Sequence, residues 1–171
     1  MAITFNAAAY GRDVEQILTS GVPALTGLVA SATPTPGLLR DIVPSLFADS
    51  AHPPGALAGL WLYFDCFDES HRVSQGDPSV EGSLWHGIAH RREPAYANAG
   101  YWFRLVQEHA LFPQILKRVG TGLGPKWDPL LFIDYCEDIA QKGGEREAWA
   151  MKVQRVEWEI LFDYCARKRS V

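Results

Sequence analysis

The chain has 171 residues, 47% of them hydrophobic and 21% charged, enough for one compact domain whose core needs no disulfide or metal staple. Its net charge of −4 works against a polyanionic partner, and its one basic run, the terminal "ARKRS", reads as a solvated helix end, so no nucleic-acid partner is expected. Cys66, Cys136 and Cys165 lie far apart and form no CxxC pair, which excludes a zinc ribbon or a thioredoxin-type motif and leaves them as small hydrophobes.

The start of the chain has no basic stretch followed by an apolar run, and no segment reaches 18 uninterrupted apolar residues. A cytoplasmic protein with no membrane partner is the expectation. Taken in chain order, helices are predicted near 12–20, 22–31, 36–48, 55–73, 78–92, 94–109, 111–118, 128–142 and 145–168. "TPG" at 35–37, "DPS" at 77–79 and "DPL" at 128–130 each place a capping residue before a first-turn proline. Pro44 interrupts the third helix, and Gly143-Gly144 stops the one that Pro129 opens. No strand alternation is sustained. The fold expected is all-α: a single domain over 1–171, a bundle of about 7–9 helices with a central C-terminal helix.

Side chains that share a helical face narrow the chemistry. On 55–73, Leu57, Leu60, Trp61, Phe64 and Phe67 form the apolar stripe, with Asp68 and His71 inside it and Asp65 nearer its edge. On 78–92, Val80, Leu84, Trp85 and Ile88 mark the apolar side, while His86, His90 and Glu93 share another at spacings of four and three. That spacing lets two imidazoles and a carboxylate meet one ion, or act as acid and base near neutral pH. The pairing lacks the HExxH glutamate of a zinc-protease helix, and the plainer reading of the same face is a wet polar surface opposite the core. Arg92 projects toward the apolar side, where a guanidinium needs a carboxylate or an anionic ligand. Asp68 and Glu157 are its natural internal partners. On 94–109, Ala99, Trp102, Phe103 and Val106 face inward, Asn98, Trp102, Leu105 and His109 run down one edge, and Arg104 can pair with Glu108. Asp134, Glu137, Asp138 and Gln141 form a solvated face on 128–142. The last helix is apolar nearly all round, with Lys152, Arg155, Glu159 and Asp163 as a narrow wet strip and Glu157 between its two apolar sides.

Residues 85–104, "WHGIAHRREPAYANAGYWFR", resemble a motif close to WHGIxHRREPDYxNAxYWFR from a family of bacterial and fungal proteins. Ala95 stands where that motif has an acidic residue. The resemblance covers 20 of the 171 residues. It implies kinship and no activity, since no reaction is attached to the family. It draws Trp85, His86, His90, Arg91, Arg92, Glu93, Asn98, Tyr101, Trp102 and Arg104 into one constellation.

Three functions follow as expectations. The first is a polar His/Arg/carboxylate pocket that binds or transforms a small anionic metabolite. His86, His90 and Glu93 would be its catalytic groups, and Trp85, Arg91, Arg92, Asn98, Tyr101, Trp102, Arg104, Asp68, His71 and Glu157 would contact the ligand. The second is a helical interaction module without chemistry, with surface aromatics that suit a homodimer. The third is an enzyme using a divalent metal on His86, His90 and Glu93. Its two-metal version would join Asp68-x-x-His71 to His90-x-x-Glu93 with Glu157. Neither a GxSxG nucleophile nor a phosphate loop is present.

Overall fold

A helix of 23 residues, Gly144–Ala166, forms the axis on which the other helices pack. It is apolar on most of its circumference and buries Ala150, Val153, Trp158, Ile160, Phe162 and Cys165 among others. A helix with so little polar surface must be covered on several sides. The computed structural model describes residues 5–30, 41–140 and 142–168. Among these there are eight α-helices: α1 Arg12–Leu18, α2 Pro53–Tyr63, α3 Phe67–Gln75, α4 Val80–Arg92, α5 Tyr96–Val106, α6 Phe112–Val119, α7 Pro129–Ile139 and α8 Gly144–Ala166. Among the described residues no strand forms; Ser50 and Lys168 make a single isolated bridge. The protein is all-α, and one hydrophobic core runs from Val14 on α1 to Ala166 on α8. No described helix is long and apolar enough to cross a membrane.

Two glycines let the central helices close up. A methyl group on Gly59 of α2 would lie 2.6 Å from the Trp85 ring, and one on Gly87 of α4 would lie 2.8 Å from the Phe103 ring of α5. Trp85 and Trp158 are fully buried, each contributing roughly 2–3 kcal/mol by removing its ring from water.

The predicted helix 55–73 is two helices. The chain turns at Phe64–Cys66, where Asp65 has φ 60°, and the Cys66 N–H returns to the Trp61 carbonyl at 3.0 Å. Aspartate tolerates this left-handed conformation better than most residues, so the break needs neither glycine nor proline. No helix forms over 22–30, where Pro23 and Gly27 both oppose one. That segment is pinned instead by Leu25 N–H to the Tyr63 carbonyl (2.9 Å) and Ala30 N–H to the Arg92 carbonyl (2.8 Å). The "TPG" signal and 36–40 of the third predicted helix lie outside the described residues, and Pro44–Phe47 is one 3-10 turn. Ser79, not Asp77, caps α4: its hydroxyl accepts from the Gly82 N–H at 3.0 Å, and Asp77 accepts from the Ser79 N–H instead. Asp128 and Pro129 open α7 as expected, with Asp128 accepting from the Leu130 N–H at 2.8 Å. That helix ends at Ile139, and the two glycines open α8 rather than closing α7. Helix α5 stops at Val106, so Glu108 and His109 leave its face and no Arg104–Glu108 pair forms among the described residues.

Candidate metal site

The HxxxH spacing places His86 and His90 one turn apart on α4. The short connection at Gly76 folds α3 back beside them and brings in His71. The ring centroids lie 4.5 Å (His71–His86), 5.0 Å (His71–His90) and 4.8 Å (His86–His90) apart. One ligand atom from each residue lies within 4.8 Å of the other two. Aromatic side chains hold the rings: Trp102 of α5 stacks on His86 at 3.9 Å and 15°, and Phe67 stacks on His71 at 5.4 Å.

His90 Nδ1 meets Glu93 Oε2 at 3.2 Å, which leaves Nε2 free. A carboxylate on the far nitrogen of a histidine fixes the tautomer and raises the basicity of the near one. His86 is 2% exposed, and its Nδ1 has no hydrogen-bond partner. Burial, reinforced by His71 and His90, pushes the His86 pKa down to about 4. Burial also lowers His71, with His90 acting the same way and Glu93 and Asp68 opposing. At neutral pH both rings therefore present lone pairs, the state a metal requires. A tetrahedral ion with bonds of about 2.1 Å needs nitrogens about 3.4 Å apart, a contraction within reach of side-chain rotation. Three protein ligands leave a fourth position for water. The half-buried His71 and the exposed Glu93 mark the solvent edge of the site.

Of the residues expected to make a site, the structure brings together His86, His90, Glu93, His71 and Trp102. Glu93 enters as the partner of His90, and His71 occupies the third ligand position expected of Glu93. Asp68 is exposed beside His71 and does not reach Arg92. Arg92, 0% exposed, bonds to Asp65, to the Leu62 carbonyl (2.9 Å) and to the Gly27 carbonyl (3.3 Å). Glu157 is buried and pairs with Arg91, whose guanidinium also lies over the Phe132 ring at 4.5 Å. The expected Arg92 partners were therefore wrong, because the break after α2 turns Asp65 inward and takes Asp68 out. Trp85 packs deep against α2 and α8, away from the histidines. Asn98, Tyr101 and Arg104 point to solvent along α5. Asp163, expected to be wet, is 2% exposed and accepts from the Tyr10 hydroxyl (2.9 Å) and Arg167 Nε (2.7 Å).

A second constellation was not anticipated. Glu81, 7% exposed on α4, has His52 Nδ1 at 3.7 Å from one carboxylate oxygen and His109 Nε2 at 3.5 Å from the other. Tyr164 stacks on His52 at 5.1 Å. The sequence carried no spacing signal for it, since its members come from four separate segments.

Fold and site together define an all-α protein with three histidines gathered on two adjacent helices. Comparison with protein-family models, with curated proteins and with solved structures finds no significant match to this chain.

Proposed function

We propose that the protein binds one divalent transition-metal ion, zinc by default, through His71, His86 and His90, and that it is a metal-dependent enzyme acting on a small anionic molecule. The observation that carries this reading is the convergence of three imidazoles, one backed by Glu93 and one with a buried, unpartnered nitrogen. Three nitrogen ligands and an open position are the arrangement that activates a metal-bound water near neutral pH. Arg91 and Arg92 are engaged with internal carboxylates. An anionic substrate would therefore find its positive charge in the ion. The two-metal version loses support, because Glu157 is held by Arg91 and Asp68 points to solvent.

The test is metal analysis of purified protein, followed by titration of the chelator-treated protein with Zn2+ and with Co2+ as a coloured reporter. One ion per chain is expected, lost in His71→Ala, His86→Ala and His90→Ala. Glu93→Gln should bind about 10–100-fold more weakly while folding normally. A folded chain that takes up neither ion refutes the reading. The interaction-module reading draws on a different observation: Tyr101 and Leu105 of α5 are 57% and 52% exposed, a surface that a homodimer would cover. The three free, buried thiols favour a reducing compartment, in keeping with the cytoplasm. Kinship with the bacterial and fungal family rests on the 85–104 motif.

A further inference from the structure

An imidazole that holds a metal must be aimed, and the last torsion of a histidine side chain is too broad to aim it unaided. A hydrogen-bond partner on the far nitrogen is the usual device. His90 has one in Glu93, whose carboxylate meets Nδ1 at 3.2 Å. Nothing of that kind stands behind His86. Its Nδ1 is buried without a partner, and no described residue hydrogen-bonds to its Nε2. Three rings surround it instead. Two of them, His71 (4.5 Å, 82°) and His90 (4.8 Å, 23°), are fellow ligands of the same ion. The third is the Trp102 indole, which lies flat on the imidazole at 3.9 Å and 15°, close to the best separation for stacked atoms.

The α4–α5 interface holds that indole in place. Gly87, next to His86, has no side chain, and the Phe103 ring lies 2.8 Å from where its methyl would be. Ala99 and Phe103 are buried on the same side of α5. Adjacent residues on the two helices therefore make adjacent contacts, Gly87 with Phe103 and His86 with Trp102. Tyr101 adds an edge-on contact to the indole at 5.5 Å and 85°. Trp102 is half-buried while the imidazole beneath it is 2% exposed, so the indole also shields His86 from water. We propose, on the three-histidine reading above, that Trp102 is the positioning residue of His86: its stacked indole does for that ligand what the Glu93 carboxylate does for His90, and so sets the affinity and coordination geometry of the metal site. The indole N–H is a donor only and offers no metal ligand. Trp102 acts through the direction of His86 alone.

Co2+ is the probe, because its visible absorption is strong in a four-coordinate site and weak once further waters enter. The full chain, Trp102→Leu and Trp102→Phe are each titrated after chelator treatment, and their thermal unfolding is followed without metal. Trp102→Leu should bind Co2+ about five- to tenfold more weakly, the effect of losing one aromatic pair, and should lose most of the visible band even at saturation. Trp102→Phe keeps a flat ring and should stay within about twofold of the parent, with the parent's band. The band at saturation reports geometry at the ion, which a general loss of stability would leave alone. A second measurement needs no variant and decides the matter if Trp102→Leu does not fold. In the unmodified chain the indole ring current should shift the His86 ring protons upfield, and that shift should persist when Zn2+ is added. Trp102→Leu matching the parent in affinity and band, Trp102→Phe as impaired as Trp102→Leu, or an upfield shift lost on adding Zn2+ would each overturn the proposal while the metal site stands. A parent chain that takes up no Co2+ removes the site and the proposal together.

Discussion

Arg92 sits at the junction of α4 with the α2–α3 corner, entirely out of water, with Asp65 and two carbonyl oxygens around it. A charge in that place is tolerated only while its partner stays ionised. Asp65→Ala should therefore destabilise the protein by about 3–5 kcal/mol, seen as a lower urea midpoint. The double replacement of Asp65→Leu with Arg92→Met should recover most of that loss, because no orphan charge then remains. Recovery of none would mean that Asp65 acts through its backbone turn instead. His86 presents the opposite case, a buried group kept neutral. Its folded pKa of about 4 lies below the ordinary histidine value of 6.5. Between those two pH values the unfolded chain takes up a proton that the folded chain refuses. Stability of the metal-free protein is thus complete above about pH 6.5 and falls as the pH drops toward 4. His86 alone should remove about 2 kcal/mol between pH 7 and pH 5. Urea titrations at the two pH values measure this, and His86→Phe should flatten the difference.

At the scale of helices, the site depends on how closely α3 and α5 approach α4. Gly87 sets the α5 spacing, because Phe103 occupies the space a side chain would need. Gly87→Ala should cost about 1–3 kcal/mol through overpacking, and Phe103→Leu in the same chain should restore part of it. A Gly87→Ala variant as stable as the parent would show that the two helices slide freely. The same elements show what sequence can reveal. His86 and His90 were legible as a pair because both lie on one helix, where spacing fixes direction. Their third partner, His71, was visible only as a face-sharing neighbour of Asp68. Its true position depends on the reversal at Gly76 and on the break at Asp65, a residue whose left-handed backbone carries no strong sequence signal. The same hidden break exchanged Asp65 for Asp68 as the Arg92 partner. The apolar character of α8 was legible, but Asp163 was assigned to water because Tyr10 and Arg167, which satisfy it, lie outside the helical pattern. Glu81 with His52 and His109 was illegible for a related reason: only tertiary packing joins them.

Across the whole molecule, three thiols report on cooperativity. Cys66 lies at the α2–α3 corner, Cys136 on α7 and Cys165 on α8, and each is 1% exposed or less. Burial pushes Cys136 up to about 11 and Cys66 up to about 12, the latter helped by Glu69 and Asp65. Burial raises Cys165 as well. Thiolate is the reactive form, so in the folded chain all three should be inert at neutral pH on both counts, access and ionisation. Incubation with a disulfide reagent should modify none of them in buffer and all three in guanidinium. The informative regime lies between, at denaturant concentrations where the native state still dominates. The shared core and the span of α8 across the fold mean that no cysteine can be exposed without disturbing the packing around the others. Mass spectrometry should therefore find unmodified and triply modified chains with few intermediates, and one rate for all three sites. Early labelling of Cys66 alone would instead identify the α2–α3 corner as a separately opening unit. Because that corner carries Asp65 and leads into the helix of His71, such an opening would dismantle the Arg92 pair and the histidine cluster together while α7 and α8 remained packed.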